Sequence, residues 1–556
     1  MATSYKTPNV YIEEISKLPP SVAGVSTGIP AFIGYTEKAE DNGEDLTNVP
    51  TRITSLLEYE TFFGLAKPTV IEVTTNAADE ITNIELTEPI FLMHYALQMF
   101  FNNGGGACYI VSVGTYGPAK AKDDFINGLT ALKEEDEPTL ILLSDAVNLA
   151  LDGNDKPTDY YDLCTQALAQ CNTLQDRFAV FDVVQADPKI KEDDDVDTFR
   201  DAIGQEYLNY GAAYYPYLQT SLNYYYTDDS VTVDPGSTKL KAYRTDSNGL
   251  IVAYKGENGD TPAVVIEYGG DTNISFGFTN SNKTLTITIK QAGKKTTAKE
   301  IISKWKEETD KHKFDLKQDG DGSAVVKDLD EEDLLEPPHD LWLYKAINTG
   351  LYNDIKSEIS KKRIILPPSS AIAGVYARVD RDRGVWKAPA NVSLASVTAP
   401  TIKITNEEQE SLNVDATAGK SVNAIRYFTG KGILVWGART LAGNDNEWRY
   451  VPVRRLFIYV EESVQQATEF AIFEPNVSVT WLKVKSMIES FLEGLWRQGA
   501  LAGSTAEQAF FVNVGLGVTM TSQDILEGRM NVEIGLAAVR PAEFIILKFS
   551  HKLQEA

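Results

Sequence analysis

Apolar residues in the last third of the chain recur at the spacing expected of amphipathic helices. Two stripes with a period of three to four residues are Leu456, Val460, Val464 and Ala467, and then Val484, Ile488, Phe491 and Leu495. Such a period predicts helices that each bury one face. The later segments AFFVNV, NVEIGLA and EFIILKF are rich in β-branched and aromatic residues and predict strands. We therefore expect a C-terminal α+β domain over residues 386–538.

Earlier in the chain, short apolar runs alternate with helical segments. AFIGYTE, CYIVSV, PTLILLSDA and RFAVFDVV are nearly continuous in apolar residues, as strands buried on both faces are. Segments such as EPIFLMHYALQMFFNN lie between them and predict helices. Repeated strand, helix and strand units favour a mainly parallel sheet. We expect an α/β domain over residues 29–222 that continues at 337–385.

The pattern changes between these two parts. Short strands such as AVVIEYGG and LTITIK are broken by Gly, Asn and Asp and are followed by one helix, TAKEIISKWKEETDK. An inserted β-rich domain is therefore predicted over residues 223–336, which makes the chain a multidomain α/β and α+β protein.

The N-terminal stretch, residues 1–28, predicts an extended arm. Val10 and Ile12 alternate with Tyr11 as in a strand, but prolines flank the segment and no tight hairpin follows. A strand without a local partner pairs either with a remote edge of its own chain or with another molecule. The residues alone leave both alternatives open.

The C-terminal stretch, residues 539–556, predicts a second arm. Phe544, Ile546 and Phe549 are apolar in a β-rich segment, and Pro541 restricts the preceding chain to a sheet edge or a bend. This segment can serve as a second donated strand.

Charge and hydropathy argue against two classes of partner, nucleic acids and membranes. The formal net charge of -27 argues against a nucleic-acid binder, because phosphate recognition requires a basic surface. No apolar run is long enough to span a bilayer and no signal peptide is recognisable, so neither membrane insertion nor export is expected. Assembly in the cytoplasm is the expectation.

No constellation of residues predicts catalysis, a cofactor or a metal. Gly104, Gly105 and Gly106 stand between a helix and a strand, the reverse of a phosphate-binding loop, and so predict a turn. His94 and the three cysteines are expected in the core. An α/β enzyme with a carbohydrate-binding β insertion remains the alternative function.

Two charged segments leave alternatives open. The string from Arg378 to Arg383 is either a solvated loop or an ionic contact within or between subunits. Arg454 and Arg455 begin a helix, where the macrodipole disfavours cations. They indicate either an acidic partner or salt bridges inside the subunit.

Several of these segments together resemble one family. GVYARVDRDRGVWKAPAN, GILVWGARTL, VRRLFIYVEES, FEPN, GALAG with AFFV, and RPAEFI occur in the order seen in contractile tail sheath proteins, and PNVYIEEI resembles their N-terminal arm. The resemblance extends over about residues 374–549. It does not separate a phage tail sheath from the sheath of an extracellular injection particle.

The resemblance implies a structural role. Members form stacked hexameric rings around an inner tube, meet a baseplate and terminal cap proteins, and contract to drive the tube through an envelope. It also implies strand exchange between subunits, for which the candidates are Val10 to Ile12 and Phe544 to Phe549. Contact with acidic groups of the tube is expected from Lys483, Lys485 and Arg497.

Overall fold

The computed structural model describes residues 22–547, except for 77, 118–119, 186, 188–194, 236–239, 246–247, 257–259, 271, 320–321, 336–337, 416 and 418. These residues form two compact units. The first unit comprises the described residues up to Leu65, Phe91–Thr220 and those from Ile365 onwards. The second unit comprises Ala66–Ile90 and Ser221–Ile364.

The helices are numbered along the described chain. They are α1 (Leu56–Phe63), α2 (Met93–Asn102), α3 (Lys122–Ala131), α4 (Thr158–Leu174), α5 (Asp195–Ala202), α6 (Ala298–Glu307), α7 (Leu341–Ile347), α8 (Thr349–Ile359), α9 (Ser369–Arg383), α10 (Asn406–Asn413), α11 (Val451–Thr468), α12 (Ser478–Arg497), α13 (Ala506–Ala509) and α14 (Ser522–Leu526).

The strands are numbered in the same way. They are β1 (Pro30–Thr36), β2 (Glu40–Asp41), β3 (Glu44–Asp45), β4 (Thr51–Ile53), β5 (Ile71–Thr75), β6 (Ile81–Leu86), β7 (Cys108–Thr115), β8 (Leu140–Leu143), β9 (Phe178–Asp182), β10 (Gly211–Tyr215), β11 (Leu218–Thr220), β12 (Val231–Asp234), β13 (Leu240–Arg244), β14 (Leu250–Lys255), β15 (Ala263–Tyr268), β16 (Ser275–Thr279), β17 (Thr284–Ile289), β18 (Phe314–Gln318), β19 (Leu329–Asp333), β20 (His339–Asp340), β21 (Ile365–Leu366), β22 (Val392–Ser393), β23 (Val397–Pro400), β24 (Val422–Phe428), β25 (Gly432–Val435), β26 (Phe510–Val514) and β27 (Val532–Leu536).

A large sheet organises the first unit, with the strand order β22-β25-β24-β10-β9-β8-β1-β7-β4. The central pairs from β7 through β1, β8, β9 and β10 to β24 are all parallel. Antiparallel strands β4, β25 and β22 complete the two sides. The apolar runs of β1, β8, β9 and β10 are buried throughout, which confirms the predicted mainly parallel sheet.

Helices cover both faces of this sheet. Phe32 of β1 meets Phe100 of α2 edge to face, with ring centroids 5.3 Å apart. The next residue, Ile33, packs against Gly128 of α3. Consecutive strand residues point to opposite faces, so α2 and α3 lie on different sides of the sheet. The helix α9 packs beside α2 and completes that layer.

The second unit is built largely of short strands. Its sheets have the orders β20-β12-β5-β6, β13-β14-β18 and β16-β17-β15-β19. Side chains of β5, β12, α7 and α8 form one core, and Trp305 of α6 lies in a second core with β14, β15 and β17. The strands predicted for the insertion are therefore present.

The borders of the units differ from the predicted domain borders. The segments Ala66–Ile90 and 337–364, which were expected in the α/β domain, belong to the second unit because β5 pairs with β12 and α7 packs on that sheet. In addition, β24 and β25 extend the large sheet, although they were assigned to the C-terminal domain. The predicted strand EFIILKF is absent from 543–547, where the backbone has no ladder partner.

Candidate inter-subunit surface

The two predicted amphipathic helices pack against each other in the first unit. Leu456 and Val460 of α11 share a buried cluster with Val484, Ile488 and Leu492 of α12. The apolar period of each sequence supplies this contact, and β26 and β27 cover the same cluster. The prediction of two helices with buried stripes is confirmed.

A buried ion pair fixes α11 to the large-sheet part of the unit. Arg455 donates two hydrogen bonds to Asp380 of α9, at 3.0 and 2.5 Å, and its guanidinium lies 4.7 Å from the ring centroid of Tyr376. Both charged side chains are almost completely buried, at 5% and 3% exposure. The string from Arg378 to Arg383 is therefore the C-terminal part of a helix and not a solvated loop, and Asp380 makes an ionic contact inside the subunit.

Arg454 is also held internally. Its guanidinium lies between the rings of Tyr210 and Trp448, with centroid distances of 4.5 and 4.6 Å. It also forms a 3.1 Å ion pair with Glu461, about two turns further along α11. These partners offset the unfavourable helix dipole at the start of α11. Of the two alternatives for Arg454 and Arg455, the structure therefore has salt bridges inside the subunit.

The strands β26 and β27 form a separate two-stranded sheet near the C-terminus. They pair antiparallel from Phe510 opposite Leu536 to Val514 opposite Val532. Within the described part of the chain no third strand joins this pair. Its outer edges thus present backbone hydrogen-bonding groups that a further strand can use.

An apolar groove runs beside β27. It has a volume of about 950 Å³ and is lined by α11, α12, the 471–476 connection and β27. Val464, Val484 and Ile534 are among the side chains that face it. On its rim Ile472 is 64% exposed, and Phe473 is fully exposed at a positive φ of 66°. An apolar groove at an open strand edge is suited to a donated strand with alternating apolar side chains.

The root of the N-terminal arm lies against α11. The Val25 N–H donates to the Ser463 hydroxyl at 3.1 Å. Gly24 approaches Tyr459 so closely that a Cβ at this position would overlap the tyrosine hydroxyl. The proposed exchange residues Val10, Tyr11 and Ile12 lie outside the described residues.

The C-terminal segment is held at Glu543 by hydrogen bonds, here called the clamp, and its next residues are exposed. Arg439, which is buried, donates to both carboxylate oxygens of Glu543 at 2.9 and 2.5 Å, and the Tyr450 hydroxyl donates to the same group at 3.2 Å. Beyond this clamp Phe544 and Ile546 are 72% and 79% exposed. Phe549 lies outside the described residues.

The three cations predicted to meet an inner tube do not share one helix face. Successive residues of α12 are rotated by about 100°, so Lys483 and Arg497 lie within about 40° of each other while Lys485 is at least about 120° from both. Arg497 pairs with Glu493 at 2.5 Å, and Lys485 pairs with Glu489 at 3.6 Å. Lys483 lies over the Phe470 ring at 4.2 Å.

The carboxyl ends of the parallel strands, where α/β proteins often bind ligands, are used for helix capping. Asp145 after β8 accepts backbone N–H groups of Tyr35, Leu92 and Met93. Asp182 of β9 accepts the backbone N–H and the hydroxyl of Ser369, at 2.7 and 2.6 Å. Burial raises the pKa of Asp145 to about 6 and that of Asp182 to about 7.

The other residues considered for chemistry have structural positions. The cysteines are buried and unpaired, and burial raises the pKa of each thiol. His94 lies in the core, 3.2 Å from Glu60, and burial lowers its pKa. Gly104 to Gly106 connect α2 to β7 in a turn, as predicted. Over the described residues no group of His, Cys, Asp and Glu has the arrangement of a metal site.

None of the helices in the described ranges is both long and apolar enough to cross a bilayer.

Sequence reasoning missed two features of this surface. The exposed Phe473 belongs to the FEPN segment, but local sequence does not distinguish an exposed phenylalanine from a buried one. The Arg439–Glu543 clamp joins two of the family-like segments, and its partners are more than a hundred residues apart in sequence.

Comparisons with known proteins agree with this arrangement. The family model described as phage tail sheath C-terminal domain matches residues 443–552. The tail sheath protein of Vibrio phage KVP40 is 23% identical over 156 residues, which are 28% of this chain and 23% of that protein. The chain spans less than half the length of the curated relatives it matches.

Likeness to solved structures extends over the full length. The anti-feeding prophage helical sheath in its contracted state is 26% identical, with a TM-score of 0.54 and coverage of 99% of this chain and 100% of that chain. The sheath complex of the extracellular contractile injection system PVC, also contracted, gives 26% identity, a TM-score of 0.54 and 99% coverage of both chains. The C-terminal part of this chain is therefore a phage tail sheath C-terminal domain, and over its full length the chain is similar to the sheath chains of contractile injection systems.

Proposed function

We propose that this chain is the subunit of a contractile sheath that stacks as hexameric rings around an inner tube and, on contraction, drives the tube through a target envelope. The full-length likeness to sheath chains of injection particles supports this role, and tail sheath proteins of phages share its C-terminal part. The role is structural, and assembly takes place in the cytoplasm of the producing bacterium.

One observation carries the proposal: an open two-stranded sheet lies beside an apolar groove, in the same unit from which both chain ends depart. In the proposed lattice, the Val10 to Ile12 segment of one subunit adds a strand to this sheet in a neighbour. The Phe544 to Phe549 segment of another subunit adds a second strand. Each subunit is then joined to others through main-chain hydrogen bonds, which do not depend on particular side-chain contacts.

Exposed apolar residues support an interface in the same region. Large apolar side chains that are at least 44% exposed are concentrated between residues 472 and 547: Ile472, Phe473, Val477, Val479, Leu482, Phe511, Leu516, Val518, Leu526, Phe544, Ile545, Ile546 and Leu547. A monomer that leaves this much apolar surface in water is unusual. Burial of this surface between copies would favour association.

The remaining partners follow from the same proposal. Lys483 and Arg497, on one side of α12, are the proposed contacts to acidic groups of the inner tube, and Lys485 contributes less because it points elsewhere. Baseplate and terminal cap proteins would bind the open sheet edges at the two ends of the cylinder. Contraction rearranges the contacts between rigid subunits while the exchanged strands keep them joined.

Electron microscopy tests the exchange. We expect hollow cylinders in negative stain from the full-length protein, and none from a variant that lacks the residues before Gly24. Ile12→Lys places a charge on the apolar side of the arm and should abolish cylinders, whereas the neighbouring Glu13→Lys should leave them intact. Cylinders of normal length from Ile12→Lys would refute the proposed arm contact.

A second test concerns the rim of the groove. Phe473→Ser removes a fully exposed side chain and should leave folding unchanged, but it should raise the critical concentration for assembly about 10- to 150-fold, as expected for about 1.5 to 3 kcal/mol of lost apolar burial. Leu57→Ser, at a residue that is 73% exposed on α1, is the matched control. Equal critical concentrations for the two variants would exclude Phe473 from the interface.

A further inference from the structure

The second unit has an open strand edge of its own. In the sheet β20-β12-β5-β6, strand β6 stands at the end of the order, and the described residues provide no strand on its outer side. Strand β5 pairs with it antiparallel, from Ile71 opposite Leu86 to Val73 opposite Ile84.

The hydrogen-bond pattern shows which backbone groups this edge presents. The Thr87 N–H donates to the Val70 carbonyl at 3.0 Å, one residue beyond the ladder. Hydrogen-bonded and non-hydrogen-bonded pairs alternate along an antiparallel ladder. Ile84 and Leu86 are therefore in non-hydrogen-bonded pairs with β5, and their N–H and C=O groups point to the outer side of β6.

A groove of about 780 Å³ follows this edge. Its floor is the run from Glu80 to Ile84, and its wall is one side of α8, with Asn348, Leu351 and Asp354 at successive turns. An edge strand that faces a helix across a groove is the arrangement in which peptides bind by adding a strand to a sheet.

The groove has an excess of negative charge. Asp79, Glu80, Asp354 and Glu358 line it, against the single cation Lys362 among the described lining residues. Glu358 is paired with Lys361, so the excess is carried by Asp79, Glu80 and Asp354. Asp79 accepts a hydrogen bond from Asn348 at 2.9 Å, but this neutral amide does not compensate the negative charge of Asp79. Asp354 is exposed and has no ion-pair partner within the described part of the chain.

The solvent face of the same sheet adds to this charge. Glu72 of β5 and Glu85 of β6 stand directly opposite each other and are both exposed. Like charges in such cross-strand positions are destabilising. A basic side chain from a strand added beside β6 would lie next to Glu85 and relieve this repulsion.

We propose that the second unit binds an extended, basic polypeptide segment as an additional strand along β6, under the acidic side of α8. The main chain of the segment pairs with Ile84 and Leu86, and its lysine or arginine side chains meet Asp354 on one face and Glu85 on the other. This inference does not rest on the proposed sheath role, because it concerns a different unit and a different sheet edge.

Peptide binding to the full-length protein tests it by fluorescence anisotropy. The probe is a short labelled peptide of alternating lysine and threonine, and we expect saturable binding that weakens as salt is added. A peptide of alternating glutamate and threonine should not bind. Two further lysine peptides carry N-methyl groups on alternate backbone nitrogens, in the two possible registers. The peptide whose methyl groups replace the N–H groups that face β6 should lose binding, because it cannot form the ladder, and the other should bind.

Variants locate the site. Asp354→Lys should weaken binding at least about tenfold. Glu307→Lys, the same reversal of charge on α6 of this unit at a side chain that is 68% exposed, should have no effect. Ile84→Pro removes an outward N–H at a position where an edge strand tolerates proline, and it should also weaken binding.

Three results would overturn the proposal: no binding of the lysine peptide, equal binding of the glutamate peptide, or equal binding of both N-methylated registers. Calcium binding by the groove without peptide binding would also count against it. Because the peptide controls use the unaltered protein, the proposal remains testable even if the proline variant does not fold.

Discussion

Removal of the Asp380 charge is expected to weaken the contact between α9 and α11. The effect should be much larger than that of breaking an exposed ion pair of the same length. In Asp380→Asn the Arg455 guanidinium stays buried but loses its bidentate carboxylate partner. Among the described contacts of Arg455, the Tyr376 ring, 4.7 Å away, remains to compensate the charge. An uncompensated charge in the interior is expensive because the arginine cannot regain its hydration without local unfolding.

A surface ion pair of the same length sets the scale. Arg497 and Glu493 are also 2.5 Å apart, but their side chains are 72% and 44% exposed, against 5% and 3% for Arg455 and Asp380. Breaking the buried pair should cost about 3 to 5 kcal/mol. Breaking the exposed helical pair by Glu493→Gln should cost about 0.3 to 0.5 kcal/mol. Burial and not distance decides the difference.

Hydrogen exchange read by mass spectrometry measures this effect in a protein with two units, for which one global unfolding energy is poorly defined. Amides of α9 and α11 should exchange roughly 100- to 4,000-fold faster in Asp380→Asn, because about 1.4 kcal/mol corresponds to a factor of ten. Amides of the second unit are the internal control. An increase below about threefold in α9 and α11 would refute the reasoning.

The double replacement Asp380→Leu with Arg455→Met separates charge from packing. Replacement of a buried ion pair by apolar side chains of similar volume is often neutral or stabilising. Exchange in the double variant should therefore return close to that of the original protein.

Two further predictions concern the first unit. Burial raises the pKa of Asp182 from 3.8 to about 7, so the folded state holds this proton more tightly than the unfolded chain. The stability contributed by the bound proton is therefore lost as pH rises from about 4 to about 7. Asp182→Asn should flatten the fall in the urea midpoint over this range, and an unchanged pH profile would contradict this. Gly24→Ala should displace the arm root from Tyr459 and speed amide exchange at Val25, whereas Gly153→Ala, where a Cβ meets no neighbour, should not.

Local sequence patterns were sufficient to predict individual helices and strands, but not to predict which distant strands pair. The continuous apolar runs of β1, β8 and β9 and the stripes of α11 and α12 are properties of adjacent residues, and the structure has them as predicted. The parallel pairing of β5 with β12 joins segments about 160 residues apart. No periodicity specifies such a partner, so the border of the second unit could not be read from the sequence.

Charged segments were ambiguous for a related reason. The alternating string from Arg378 to Arg383 has the composition of a loop, yet it is the end of α9, and the partner of its buried Asp380 is Arg455, 75 residues further along the chain. The segment EFIILKF has strand propensity, but a strand exists only where another edge accepts its hydrogen bonds, and residues 543–547 have none in a single subunit.

In the proposed sheath, the distribution of charge and apolar surface explains how a subunit could move without separating from its neighbours. Arg455, Arg454 and Arg439 direct their buried guanidinium groups to partners in their own subunit, which stiffens the first unit. Besides exposed charged side chains such as Arg497, the region from 472 to 547 presents an open strand edge and many exposed apolar side chains. Apolar contacts are non-directional and can be remade in a new arrangement, whereas strand pairing is specific in register. A lattice with both kinds of contact can exchange one while it keeps the other.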